Sequence, residues 1–127
     1  MKKALSITLI LLLILSALSG CGSKSKTSDE MTTVAKGILE AADKYLDNQI
    51  SAEDAVNRLN ELQDSLGFLG DKEKNTDPEE NSANLLIMME LSALISKIAV
   101  DEVSGDKADE ITEIRNVIAE TVGEKTR

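Results

Sequence analysis

Apolar residues recur at every third and fourth position in four separate runs, and this spacing constrains the chain more than any other feature. The first run spans Asp29 to Asn48 and carries Met31, Val34, Ala35, Ile38, Ala42, Tyr45 and Leu46. Only a helix gathers such positions onto one stripe. Ser28 or Asp29 is placed to cap its start, and Glu40 and Lys44 stand in the favourable i,i+4 order. The second run opens on Ser51 with Asp54 three residues on, a capping-box spacing with Asp in place of Glu. Its stripe is Ala55, Val56, Leu59, Leu62 and Leu66, and Gly67 follows as a left-handed terminator.

The third run is announced by Asp77-Pro78, a capping residue before a proline at the first helical position. From Leu85 to Val100 it is apolar around much of its circumference, which predicts the most buried helix, with Glu90 and Lys97 marking its wet side. It stops near Gly105. Asp106, with Asp109 three on, opens the fourth run, whose stripe is Ala108, Ile111, Ile114, Ile118 and Val122, closed by Gly123. Short links within each pair of runs predict two antiparallel helical hairpins. The fold class expected is all-α, a small antiparallel four-helix bundle over residues 29–123, with 124–127 as a C-terminal tail. Aromatics make up only 2% of the chain, so the core is Leu, Ile, Val, Met and Ala, which suits helix packing better than sheets. No strand-like alternation is present.

Composition also removes several chemistries. The 127 residues include no His and a single Cys. That leaves no internal disulfide, no zinc site built on imidazole or paired thiolates, and no Ser-His-Asp or Cys-His machinery. An acidic balance of 23 Asp+Glu to 14 Lys+Arg argues against nucleic acid as a partner. The alternating oxygen ligands from Asp71 to Asp77 resemble a calcium loop. However, Thr76 and Ser82 occupy the positions where an EF-hand requires Gly and a bidentate Glu. A solvated acidic linker is the better reading, and no cofactor is expected. Paired carboxylates such as Asp43 with Asp47, or Glu110 with Glu113, read as solvated charge on exposed helix faces, and no catalytic residues are assigned.

The N-terminus has a different character. Lys2 and Lys3 precede an apolar stretch from Ala4 to Leu18 that reaches only about 22 Å as a helix, short of the ~30 Å hydrocarbon core of a bilayer. It fits an export signal better than a membrane span. The stretch ends in Leu18-Ser19-Gly20-Cys21, which resembles the lipobox of bacterial lipoproteins: Leu at −3, small residues at −2 and −1, then Cys. The resemblance covers residues 1–21. It implies diacylglyceryl attachment to the Cys21 thiol, cleavage between Gly20 and Cys21, and a membrane anchor for the remainder on the extracytoplasmic face of the cell membrane. The family's inner-membrane retention signal is Asp after the Cys. Gly22 stands there instead, so an outer membrane stays open as a destination. The competing reading is an ordinary secretory signal cut after Ser19, which would leave Cys21 as an unpaired thiol.

Residues 22–28, Gly-Ser-Lys-Ser-Lys-Thr-Ser, carry no apolar side chain and read, with Cys21, as a flexible tether. Removal of residues 1–20 takes away two lysines and no acids, leaving 12 basic and 23 acidic side chains, a net of −11. Such a domain stands off from anionic lipid. The functional expectation is a non-catalytic helical module of the cell envelope that works by contact with a protein partner. The alternative is a small-molecule or lipid binder using an apolar cavity between the helices. Within the third run, Met88 and Met89 are candidate partner-face residues because methionine adapts to varied apolar surfaces. Their helical spacing places them in the core as the default.

Overall fold

A computed structural model describes residues 27–66 and 78–127. Four helices follow in order: α1 (Asp29–Leu46), α2 (Ala52–Ser65), α3 (Pro78–Ser104) and α4 (Ala108–Thr121). Each packs on the next, α4 returns to α1, and α1 also meets α3 across the centre. The result is the expected small four-helix bundle. Residues 1–26 and 67–77 lie outside the described residues, and with them the export signal, the lipobox, the terminator Gly67, the capping Asp77 and the acidic Asp71–Asp77 linker.

The helix starts follow their capping chemistry. Ser28 accepts the Met31 amide at 3.2 Å, and Ser51 accepts the Asp54 amide at 3.1 Å, each satisfying one of the donors that a first turn leaves unpaired. Pro78 opens α3 as its spacing predicted. The α1–α2 reversal runs through Asn48, whose φ of 58° is left-handed and suits asparagine better than most side chains. Gly105 and Gly123, with φ of 70° and 73°, end α3 and α4 where a Cβ would be strained.

The start of α4 differs from expectation. Lys107, not Asp106, is its N-cap, and no side chain caps it. Asp106 accepts instead from the Ser104 hydroxyl at 2.7 Å. Asp101, near the end of α3, takes the Lys107 backbone N–H at 2.7 Å. With the Asp106 carboxylate engaged by Ser104, α4 starts from Lys107, whose amide Asp101 holds. Ala108, assigned to the buried stripe, is exposed.

The core contains the residues the stripes specified. Met31, Ala35, Ile38 and Ala42 from α1 meet Ala55, Leu59 and Leu62 from α2, with Ile111, Ile118 and Val122 from the α4 side. Helix α3 contributes Ile87, Leu91, Leu94 and Ile98, all without solvent exposure. Ala83 is also buried and Ile95 packs against this core, but most of the other apolar residues of α3 do not join it. Leu85, Met88, Met89, Val100 and Val103 are exposed, so α3 is not the most buried helix, and Met88 and Met89 are not core. Three neighbours can cover only part of a helix circumference. At 3.6 residues per turn, residues 87, 91, 94 and 98 share the covered side and 85, 89, 92 and 96 point away. Glu90 and Lys97 sit at the margins, only partly exposed, rather than at the centre of the wet face.

This division predicts a sharp contrast in stability. Replacing Leu94 by Ala should cost about 2–5 kcal/mol through lost burial and a residual cavity. Met88→Ala should stay within about 0.5 kcal/mol. Chemical denaturation of the two variants checks both numbers.

Candidate functional site

The outer face of α3 is the first candidate. From Leu85 to Val100 every exposed residue is uncharged, and the two charged residues in that span, Glu90 and Lys97, are partly covered. Lys97 is further engaged in an ion pair with Glu110 of α4. Met89 is 62% exposed and Leu85 57%, whereas the chain as a whole is 29% charged. A soluble surface rarely leaves so long an uncharged strip without use. By length and composition α3 could cross a membrane. Its apolar character comes from two sides at once, one packed on the bundle and one facing solvent.

The end of the bundle where this face begins is also where the chain leads back to Cys21. Thr27 and Ser28, counted by composition with the tether, are fixed to the bundle. Thr27 is buried and its hydroxyl lies 2.8 Å from that of Thr32. The Ser28 amide donates to Asn84 of α3 at 3.4 Å. Asn84 is fully buried, one residue before Leu85. Its local backbone and side-chain contacts therefore tie the emergence of the chain to the start of the uncharged strip.

A second cluster joins α1, α4 and the C-terminal tail. Arg115 occupies the buried stripe of α4 between Ile111 and Ile118 and is 7% exposed. Its guanidinium donates twice to Asp43, Nε to Oδ1 at 2.9 Å and Nη2 to Oδ2 at 3.0 Å, a bidentate geometry. Nη1 also donates to the Lys125 carbonyl at 2.6 Å. Arg127 reaches Asp43 at 3.1 Å and Asp47 at 2.6 Å. Residues 124–127 are thus folded back onto the bundle. Asp43 and Asp47, expected as solvated charge, hold the tail in place. Burial works against charge on Asp43, but hydrogen bonds from Arg115 and Arg127 outweigh it and hold the carboxyl below its usual range.

Near the same end of α1, the chain's one tyrosine, Tyr45, donates its hydroxyl to Asp101 Oδ2 at 2.5 Å. Asp101 therefore ties α1 to the α3–α4 turn through both its oxygens. Burial first, and the Asp101 carboxylate second, push the Tyr45 phenol up to about 12. Glu110 pairs with Lys97 and Lys107 while Glu113 is exposed, so these two carboxylates share no pocket.

Surface depressions also lie along the bundle. One of about 450 Å³ runs over Asp43 and Arg115 between Lys36 and Lys44. Another, of about 360 Å³, has Ala83 and Leu86 as its floor and Glu79 and Glu120 on its rim. Both are open, and among the described residues no group of three His, Cys, Asp or Glu converges to hold a metal. Sequence reading passed over Arg115 and Arg127. The available signal was a cation at a core position of α4, which demands a buried anion. No protein-family model matches the chain, and no curated protein or solved structure is significantly similar to it.

Two outcomes follow from the ion-pair geometry. Asp43→Ala leaves the buried Arg115 short of its main partner and should cost about 1–3 kcal/mol. The Asp43 carboxyl titrates lower in the folded than in the unfolded chain, so its contribution is complete above the ordinary Asp value and disappears as pH falls through the depressed folded value. Acid unfolding of Asp43→Asn should therefore be less steep than that of the wild type over this window. Tyr45 has the opposite sign. Its contribution is complete below about 10, the unfolded phenol value, and is lost as pH rises toward about 12. With no Trp present, the ultraviolet absorbance of tyrosinate reads this single group. Tyr45→Phe should cost about 1 kcal/mol.

Proposed function

We propose that this chain is a bacterial lipoprotein. Its mature helical bundle is anchored through a diacylglyceryl group on Cys21 to the extracytoplasmic face of the cell membrane, and it acts without catalysis by protein contact along the outer face of α3. The observation that carries the anchor is the run Lys2-Lys3, the apolar stretch Ala4–Leu18 and Leu18-Ser19-Gly20-Cys21. The observation that supports contact is the uncharged exposed strip containing Met88 and Met89.

The two fit together in scale. Five residues separate Cys21 from Thr27, which spans at most about 20 Å of extended chain. The bundle would be held within a few nanometres of the lipid surface, with its strip beginning at the anchored end. That end also carries Asp29, Glu30, Glu79, Glu80 and Glu120. Their charge opposes docking of the strip into anionic lipid and favours a protein as its occupant. Open, charge-rimmed depressions likewise favour surface contact over enclosure of an apolar ligand.

Metabolic labelling with a fatty-acid precursor tests the anchor in intact cells. Wild-type chain should carry label and sediment with membranes, with its first residue Cys21. Cys21→Ala should lose the label and remain unprocessed at Gly20. Label retained by Cys21→Ala, or a mature wild-type product released with a free thiol, would overturn the proposal.

A further inference from the structure

Along the outer face of α3 the residues Leu85, Met89, Ser92, Ser96, Ala99 and Val103 are spaced four, three, four, three, four. All six are exposed. This is the spacing of a coiled-coil seam, and it lies on the side of the helix away from the stripe that the bundle buries. We propose that the seam pairs with the same seam of a second copy, the two α3 helices running antiparallel about a two-fold axis level with residue 94. The inference rests on the reading of this face as a contact surface and is independent of the lipid anchor.

Size complementarity selects the second copy and the direction. An antiparallel pair centred at residue 94 sets Leu85 opposite Val103 of the other copy, Met89 opposite Ala99, and Ser92 opposite Ser96. Met88 falls level with Val100. Large side chains at one end of the seam meet smaller ones at the other, and the small central pair lets the backbones approach closely. A parallel pair would set Met89 against Met89 and leave the Ser92 and Ser96 levels empty. The seam is its own complement only when reversed, as an isologous two-fold contact requires.

Charge points the same way. Two copies of a chain with 23 acidic and 14 basic residues repel over most of their surfaces. From Leu85 to Val100 the outer face of α3 presents no charge at its exposed positions, so the copies can meet there without like-charge apposition. Nor does burial of Ser92, one of the central pair, strand a donor. Ser92 Oγ donates to the Met88 carbonyl at 3.3 Å and accepts from Gln63 Nε2 at 3.0 Å within one protomer. A strip of the same length built for a cationic partner would carry acids within it.

The experiment is register-specific cross-linking of the full chain in intact expressing cells, wherever the chain resides. One tagged copy carries Leu85→Cys and a differently tagged copy carries Val103→Cys. Both positions are exposed, so neither change disturbs the core. With a short bis-maleimide, co-expressed copies should give a mixed dimer. Each variant alone should give none above the wild-type background from Cys21, because like positions lie about 27 Å apart along an antiparallel pair. Ser96→Glu in both copies should abolish the mixed dimer while thermal unfolding of the bundle stays unchanged. Self-adducts from either single variant would mean a parallel pair and overturn the inference. An adduct to a different protein would overturn self-pairing while sparing the contact reading of the face, and absence of any adduct would overturn both.

Discussion

Mutual burial of four Leu-, Ile- and Ala-rich stripes is the interaction on which the remainder of this protein depends. Among the described residues Tyr45 is the one aromatic side chain and it packs only at the core's margin, so the core relies on many small contacts among Met31, Ile38, Leu59, Leu91, Leu94, Ile98, Ile111 and Ile118. α1, α2 and α4 each have one stripe to cover. α3 has two apolar sides, and a bundle of four can bury only one of them. The surplus is the outer strip, so the same helix that completes the core also supplies the exposed apolar surface on which the functional reading turns.

Polar chemistry is concentrated where helices must be tied at their ends. Asp43 and Asp47 collect Arg115 and Arg127 and draw the C-terminal residues against α1 and α4. Asp101 holds Tyr45 and the Lys107 amide and so joins α1 to the α3–α4 turn. Among the described residues no buried side-chain nitrogen or oxygen lacks a partner, which is the condition for placing Arg115 and Asn84 inside without destabilising the fold. The chain from Cys21 enters at the N-terminal end of α1. Ser28 and Asn84 set the uncharged strip at that same end. An interaction surface and its anchor point thereby become neighbours, although they are far apart in sequence.

Much of the architecture was legible residue by residue. Ser28, Ser51, Pro78 and Gly105 each act through local backbone chemistry, and each stands where its spacing predicted. Stripes of period 3.6 identified most of the core of α1 and α2 but missed Leu39, Ala41 and Ala52, and Val34, Tyr45, Leu46 and Val56 lie only at its margin. Reading failed at Met88 and Met89, because a helix that is apolar on all sides carries no information about which side its neighbours will cover. It failed again at Asp106, whose carboxylate takes the Ser104 hydroxyl while Asp101 holds the Lys107 amide, so α4 starts from Lys107. Arg115 and Arg127 went unassigned because their partner, Asp43, is 72 and 84 residues away, and long-range ion pairs have no periodic signature.

Periodicity, capping residues and composition by themselves determined an all-helical chain, its four segments and the absence of imidazole and paired-thiol chemistry. They did so because each of these depends on neighbours within one or two helical turns. Only the tertiary structure decided which flank of α3 is buried, that the last four residues are clasped by Asp43 and Asp47, and that Asn84 sits beside Ser28. Those outcomes depend on how helices are arranged around one another, and that arrangement is set by competition for a core of finite size rather than by any single segment.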